Sequence, residues 1–166
     1  EFAYRRLLNA LKRLEKATGR ARVGYCYAQI LLIQLRNGSR VSEAVRAWLE
    51  FYKTGVRELR VRVSKKKREE YRLMVIPDEV ERREPCYEFL ERGIGRITMS
   101  AKKWSKRRMG FNTHSLRYAL ITYLLRQGVN PSIVAKITRH SRLDYILHYT
   151  QEKEAERVLR SDEYFW

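Results

Sequence analysis

The sequence is poor in cysteine, in acidic residues and in long apolar runs. Its two cysteines, Cys26 and Cys86, are far apart and lack CxxC spacing, which predicts reduced thiols in a cytosolic compartment. Apolar runs such as residues 30–33 are far shorter than the about 20 residues that a membrane-spanning helix needs. No charged and apolar leader opens the chain. We therefore expect a soluble domain.

The shortage of acidic residues leaves a large positive charge. The chain has 36 Lys plus Arg against 19 Asp plus Glu, a formal net charge of +17. Such an excess predicts a polyanionic partner, either nucleic acid or an anionic membrane surface. Because no apolar span accompanies the charge, nucleic acid is favoured and a membrane partner is not expected.

The first part of the chain has the periodicity of three helices. Apolar residues near helical spacing predict an amphipathic helix over residues 2–17, and a nearly continuous apolar stretch predicts a buried helix over residues 22–36 that ends at the Asn-Gly pair. Ser42 can cap the third helix. Arg40 lies at the junction between the second and third helices, where it either serves an anion or bonds Glu43 or the carbonyls that end the preceding helix.

A period-two alternation follows and predicts a β-hairpin over residues 57–64 and 71–77. In the second strand the apolar positions that repeat with this period are Tyr71, Leu73 and Val75. Residues 94–98 are a candidate for one more short strand.

Two basic segments are candidates for contact with a phosphate backbone. One is the hairpin tip at residues 64–69, and the other is a helix over residues 98–110 with mostly cationic exposed positions. The candidate DNA-binding residues are Lys66, Lys67, Arg68, Lys102, Lys103, Lys106 and Arg107. A solvated turn and a solvated helix face are the alternatives.

Residues suited to phosphate-ester chemistry are concentrated between His114 and Tyr149. His114 and Arg117, three residues apart, share one face in the first turn of a helix that Thr113 can cap. His140 follows in a turn. Further helices are predicted over residues 131–137, 143–150 and 152–160, of which the second carries the tyrosine.

The order and spacing of these residues resemble the catalytic domain of the tyrosine recombinases, the phage-type integrases. The resemblance extends from the segment around Arg40, through the hairpin lysines, to His114, His140 and Tyr149. It implies a mainly α fold with a small antiparallel β-sheet, an α+β class, in a single catalytic domain over residues 1–166. It also implies strand exchange on double-stranded DNA. A source in an archaeal virus or plasmid belongs to the same expectation.

The resemblance implies a metal-free covalent mechanism without any cofactor. The catalytic positions that it assigns are Arg40, Lys65, His114, Arg117, His140 and Tyr149. The tyrosine would attack the scissile phosphate, and the two arginines would hold the nonbridging oxygens. The histidines would bond these oxygens and assist proton transfer, while the hairpin lysine would protonate the leaving 5′ oxygen. Lys66 and Lys67 remain alternatives for that lysine.

Some features depart from the family or concern its assembly. The family's usual Leu-Gly before the second histidine is here Thr138-Arg139, so the turn is expected to differ. The family's N-terminal DNA-clamping domain has no counterpart, which predicts a fragment or a minimal member. We expect a monomer when free and a tetramer on DNA, with residues 152–166 packing on a neighbouring protomer. The expected location is the nucleoid-associated cytoplasm of a prokaryotic or virus-infected host cell.

Two other functions are compatible with the same residues. A type IB topoisomerase performs the same covalent step but religates the same strand. A non-catalytic DNA-binding module is the second alternative, because residues 131–145 also have the pattern of a helix-turn-helix.

Overall fold

The computed structural model describes residues 1–64, 67–140 and 144–161, which form a bundle of helices with one β-hairpin. The helices are α1 (Phe2–Leu14), α2 (Val23–Asn37), α3 (Val41–Thr54), α4 (Ile94–Trp104), α5 (Thr113–Arg126), α6 (Pro131–Thr138) and α7 (Asp144–Leu159). The strands β1 (Glu58–Arg62) and β2 (Tyr71–Val75) pair antiparallel. The predicted α+β fold class is confirmed.

Helix α2 is central because its sequence is apolar on nearly every side. Residues 30–33 are almost completely buried, and α1, α3 and α5 pack around them. The polar side chain of Gln29 is satisfied inside this core, where its Oε1 accepts hydrogen bonds from Trp48 Nε1 at 2.9 Å and from the Tyr52 hydroxyl at 2.8 Å. The buried amide thus joins α2 to α3 without an unpaired polar group.

The predicted end of the second helix is confirmed at Gly38, where the chain turns towards α3. Gly38 has a left-handed φ of +56°, and a Cβ built on it would lie 2.7 Å from Thr138 Cγ2 and 2.9 Å from Leu120 Cδ2. The end of α6 and the side of α5 therefore pack directly on this turn. The close approach brings the two halves of the chain together beside the α2–α3 junction.

Two predicted N-caps are replaced by neighbouring residues. Arg40, rather than Ser42, precedes α3, and the Glu43 carboxylate accepts its backbone N–H at 3.1 Å. Asn112, rather than Thr113, precedes α5, and its Oδ1 accepts the backbone N–H of the second helical residue at 3.0 Å. Both helices thus begin earlier than the sequence predicted.

The hairpin is confirmed, but Tyr71 and Leu73, two of the apolar residues that follow the period of two in β2, are exposed. The register pairs Val61 with Arg72, and both side chains are turned towards the helices. Arg72 is 3% exposed, whereas Tyr71 and Leu73 are 49% and 48% exposed. The pairing with β1, and not the apolar character of β2 itself, decides which side faces the core.

Two other sequence predictions are wrong. Residues 94–98 form the start of α4 rather than a strand, because Ile97 and Ala101, one helical turn apart, are buried together. Cys26 and Cys86 form a disulfide, with Cα atoms 5.6 Å apart, instead of two reduced thiols. The intracellular proteins of hyperthermophiles also contain disulfides, so the cytoplasmic location stays a prediction.

The C-terminal part differs from its prediction in continuity. Helix α7 runs unbroken over Asp144–Leu159, where the sequence predicted two helices. It includes Tyr149, whose side chain lies outside the described part of the chain, as do Lys65, Lys66 and residues 162–166. Among the described residues, no helix is both long and apolar enough to span a bilayer.

Candidate functional site

Arg117, on α5, is a buried cation at the centre of the candidate site. Its side chain is 1% exposed, and its Nη2 donates to the carbonyl oxygen of Thr138 at the end of α6. The same nitrogen lies 3.2 Å from Nδ1 of His140. Burial, with a contribution from the nearby charge of Arg40, lowers the pKa of Arg117 to about 10. At neutral pH the guanidinium is therefore still charged.

His140 follows α6 and is held by both its backbone and its ring. Its backbone N–H donates to the Ala135 carbonyl at 3.2 Å, and its Nδ1 lies 3.0 Å from Thr138 Oγ1. Burial, followed by the charges of Arg117 and Arg40, lowers the pKa of His140 to about 4. The imidazole is therefore neutral at physiological pH.

The turn before His140 has an unusual backbone. Arg139 stands where the resembled family carries glycine, and its φ of 57° lies in the left-handed region. Its Nη1 donates to Glu70 Oε1 at 2.9 Å, an ion pair between the turn and the tip end of the hairpin. The non-glycine residue is thus tied to the hairpin by its side chain.

Arg117 contacts His140 directly, whereas His114 is connected to it through Tyr118. His114 is exposed, and its Nε2 lies 3.2 Å from the hydroxyl of Tyr118, with the two rings edge to face. The Tyr118 ring is in turn centred 6.2 Å from the ring of His140. Tyr118 was not among the predicted site residues, although its position one helical turn after His114 was a usable signal.

Arg40 is bonded to Glu43, as one of the two interpretations of the junction predicted, and it remains partly exposed. Its side chain is 29% exposed, and its Nη1 lies 3.4 Å from Glu43 Oε1 and 3.2 Å from the Ser64 carbonyl. Glu43 is fully buried and also accepts the Ser64 backbone N–H at 3.0 Å. Because Ser64 directly precedes Lys65, these contacts bring the start of the hairpin tip to Arg40.

A second buried arginine, Arg72, was not among the predicted site residues. Its Nη1 donates to Glu43 Oε2 at 3.3 Å, and its Nη2 donates to two backbone carbonyls, those of Asn37 and Ile137, at 2.6 Å each. Burial lowers the pKa of Arg72, while Glu43 opposes this shift. No sequence signal singles it out, because the register between β2 and β1 decides that it points inwards.

The remaining predicted residues divide into two groups. The side chains of Lys65, Lys66 and Tyr149 lie outside the described part of the chain, so their predicted roles stay predictions. The other candidate DNA-binding residues are exposed, at the hairpin tip, on α4 and on the π-helical turn after it: Lys67, Arg68, Lys102, Lys103, Lys106 and Arg107. Within the described ranges, no three His, Cys, Asp or Glu residues cluster as a metal site would require.

Comparison with known proteins finds relatives in two viruses and one archaeon. The chain is 42% identical over 134 residues to "Putative integrase ORF241" of Acidianus two-tailed virus. This match covers 81% of the chain and 55% of that protein. It is 32% identical over 161 residues to "Uncharacterized protein MJ0770" of Methanocaldococcus jannaschii, covering 81% of the chain and 72% of the relative. The match to "Putative integrase V10" of the Sputnik virophage is 30% identical over 165 residues, with coverages of 80% and 69%.

The chain spans little more than half the length of the Acidianus virus protein, 55%. No family model matches the chain, and no solved structure matches it.

Proposed function

Because this chain belongs to the family of integrase-like proteins that includes these viral relatives, we propose that it is a tyrosine recombinase acting on double-stranded DNA. It cleaves and rejoins strands through a covalent 3′-phosphotyrosyl intermediate. The observation that carries the proposal is the grouping of Arg40, Arg117 and His140 at one junction between the two halves of the chain. An origin in an archaeal virus or plasmid is part of the proposal.

The two arginines bind the scissile phosphate. Arg40 keeps part of its guanidinium exposed while Glu43 holds the rest, and Arg117 carries its charge into the interior of the site. The Nε of Arg117 is buried without a hydrogen-bond partner among the described residues, so one of its donors is not used by the protein there. Guanidinium forks match phosphate geometry and stay charged as the pentavalent state develops.

The two histidines have different roles. A guanidinium only donates, so its contact with His140 Nδ1 requires a lone pair there and assigns the ring proton to Nε2. His140, with a pKa of about 4, is then a weak base and acts as a hydrogen-bond donor to a phosphate oxygen. His114, which is exposed, accepts the proton of the nucleophile.

Tyr149 is the nucleophile. An ordinary phenol has a pKa near ~10 and needs a proton acceptor and a cationic setting to react at neutral pH. Its oxygen forms a bond to phosphorus while the bond from phosphorus to the 5′ oxygen breaks, and its proton passes to His114. The leaving oxygen takes a proton from the hairpin lysine, which we assign to Lys65, with Lys66 or Lys67 as alternatives. Attack by a 5′ hydroxyl of another strand reverses the step without a cofactor.

The basic surfaces hold the duplex and allow assembly on it. The exposed lysines of α4 and the hairpin tip neutralise backbone phosphates, and four protomers form the active complex on DNA. Residues 152–166 pack on a neighbouring protomer, and α7 connects this segment to Tyr149 without a break. The reaction takes place at the nucleoid in the cytoplasm of the host cell.

The test is trapping of the covalent intermediate. The chain is incubated with a labelled library of nicked duplexes whose sequence is randomised around the nick, so that the short cleaved strand diffuses away and the adduct accumulates. A denaturant-resistant adduct is expected, with the label on the peptide that contains Tyr149. Tyr149→Phe should abolish the adduct, whereas Tyr123→Phe, on the exposed side of α5, should leave it intact.

Other outcomes contradict the proposal in distinct ways. An adduct that persists in Tyr149→Phe would mean that another residue is the nucleophile. Relaxation of supercoiled plasmid without recombinant products would favour a type IB topoisomerase. Binding of the library without an adduct under any condition would favour a non-catalytic DNA-binding module.

A further inference from the structure

One nitrogen of Arg72 bridges the ends of two helices. Its Nη2 lies 2.6 Å from the Asn37 carbonyl, at the end of α2, and 2.6 Å from the Ile137 carbonyl, in the last turn of α6. Each of these carbonyls is three residues before a residue of the candidate site, Arg40 in one case and His140 in the other. Arg40 and His140 thus each follow, three residues later, a carbonyl that is hydrogen-bonded to the same Arg72 nitrogen.

We propose that Arg72 is a positioning residue, whose guanidinium sets the spacing between Arg40 and His140 and thereby the width of the phosphate-binding site. This role rests on the proposed function of that site. Arg72 acts through the backbone that carries the other two residues.

The charge of Arg72 suits the helix ends that it joins. The last carbonyls of a helix lack intrahelical partners and carry its negative partial charge, so two such ends repel each other unless a cation lies between them. Arg72 supplies that cation, and its Nη1 bonds the carboxylate of Glu43 at 3.3 Å. Since Glu43 also holds Arg40, the guanidinium fixes Arg40 from two directions.

The His140 turn is held by two arginines on consecutive carbonyls. Arg72 binds the carbonyl of Ile137, and Arg117 binds the carbonyl of Thr138. The backbone just before His140 is thus bonded to both α5 and the hairpin. The hairpin strand that carries Arg72 also leads back to the predicted lysine, so the same contact sets the hairpin against the rest of the site.

Packing alone does not account for a buried guanidinium at this position. Met74, two residues further along the same inward face of β2, is completely buried as an apolar side chain. An apolar residue at position 72 would avoid the desolvation of a charge, and replacements of buried ion pairs by apolar residues are often neutral or stabilising. The hydrogen bonds to two carbonyls are what an apolar residue cannot supply.

The experiment compares Arg72→Met and Arg72→Lys with Arg60→Met as the matched control. Arg60 lies on the neighbouring strand with its side chain exposed, so the control removes the same charge from the same sheet. The chain has three histidines, which makes the titration of His140 resolvable by NMR. The pKa of His140 should rise by about one unit or more in Arg72→Met, by less in Arg72→Lys and not at all in Arg60→Met, because the loosened turn moves away from Arg117 and towards solvent.

The second measurement is the rate at which each variant cleaves the nicked DNA duplexes that trap the adduct. The single-turnover rate should fall about 10-fold to 100-fold in Arg72→Met, with DNA affinity within about twofold, because a misplacement near 1 Å can have that effect on rate. Arg72→Lys should recover part of the loss. If Arg72→Met does not fold, the test rests on Arg72→Lys, in which the pKa of His140 should rise by a smaller amount.

An unchanged His140 pKa in every variant that folds would overturn the positioning role, as would an equal shift in Arg60→Met. This NMR result does not depend on DNA cleavage. A shifted pKa in a protein that never forms an adduct would instead support the role of Arg72 and count against the recombinase mechanism.

Discussion

Arg117 Nη2 lies 3.2 Å from His140 Nδ1, so a guanidinium that is charged at neutral pH donates to an imidazole that must be neutral to accept. Protonation of His140 would replace this hydrogen bond by the repulsion of two cations. Burial of the ring acts in the same direction and is the larger cause of its lowered pKa. The contact therefore couples the protonation of one site residue to the folded structure around it.

The first prediction is a loss of stability in mildly acidic solution. The pKa of His140 is about 4 in the folded chain and ordinary in the unfolded chain, so the unfolded state binds the proton first. The contribution of neutral His140 to the free energy of unfolding is complete above about pH 6.5 and is lost as the pH falls towards 4. Urea unfolding at a series of pH values should show the midpoint falling over this range.

The control for this prediction is His148→Asn, because His148 is exposed on α7. His140→Asn should flatten the dependence of the urea midpoint on pH between about 6.5 and 5, where few carboxylates titrate. His148→Asn should leave the dependence as in the wild type. A dependence that is equally steep in all three proteins would show that His140 is not its source.

The second prediction concerns the hydroxyl of Tyr118. Its contact with His114 Nε2 orients the imidazole that accepts the proton in the proposed mechanism. Tyr118→Phe should lower the single-turnover cleavage rate about 10-fold and shift the pH dependence of that rate, with little change in DNA affinity. Tyr123→Phe removes a hydroxyl from another exposed tyrosine of α5 and should change neither quantity. Equal effects of the two replacements would assign the loss to the helix surface in general.

The third prediction concerns the disulfide between Cys26 and Cys86. It closes a loop with a sequence separation of 60 residues, so its removal should lower the free energy of unfolding by about 4 kcal/mol. Denaturant unfolding of the double variant Cys26→Ala, Cys86→Ala measures this loss. A reductant should destabilise the wild type by a similar amount and leave the variant unaffected; a wild type that is insensitive to reductant even when unfolded would show that the bond does not form.

The fourth prediction concerns the basic face of α4. Each lost phosphate contact should reduce the slope of log affinity against log salt concentration by about 0.9, so Lys102→Gln with Lys103→Gln should reduce it by nearly two. The pair Lys12→Gln with Lys53→Gln removes equal charge from other exposed positions. Fluorescence titration of a short duplex at several salt concentrations distinguishes the two pairs, and equal losses would mean that α4 has no special place in binding.

The sequence patterns predicted the helices well where one face carries all the apolar residues or where a glycine ends the element. The stop after α2 is of this kind, and the period-two alternation predicted the hairpin equally well. Residues 94–98 contain several β-branched residues, which favour a strand. They form a helix because this places Ile97 and Ala101 together in the core, a contact that local sequence preference does not predict. The disulfide is also invisible from spacing, because its two cysteines are brought together by the packing of distant segments.

The candidate site was predictable only in part. His140 and Arg117, assigned together through the resemblance, are in direct contact. Arg72 was missed because the alternation was assigned by the apolar residues of β2, whereas the register with β1 turns the charged residue inwards. A buried arginine bonded to backbone carbonyls leaves no mark in the sequence, since its acceptors are present in every residue.

At Gly38 the two parts of the chain that form the candidate site pack so closely that there is no room for a side chain. A single methyl group there would overlap Thr138 Cγ2, and its left-handed φ would strain any other residue. The part of the chain that carries Arg40 and the part that carries His140 therefore lie this close together only because residue 38 has no Cβ. Gly38→Ala would push these two parts of the chain apart and so widen the spacing between Arg40 and His140 that Arg72 sets in the proposed site.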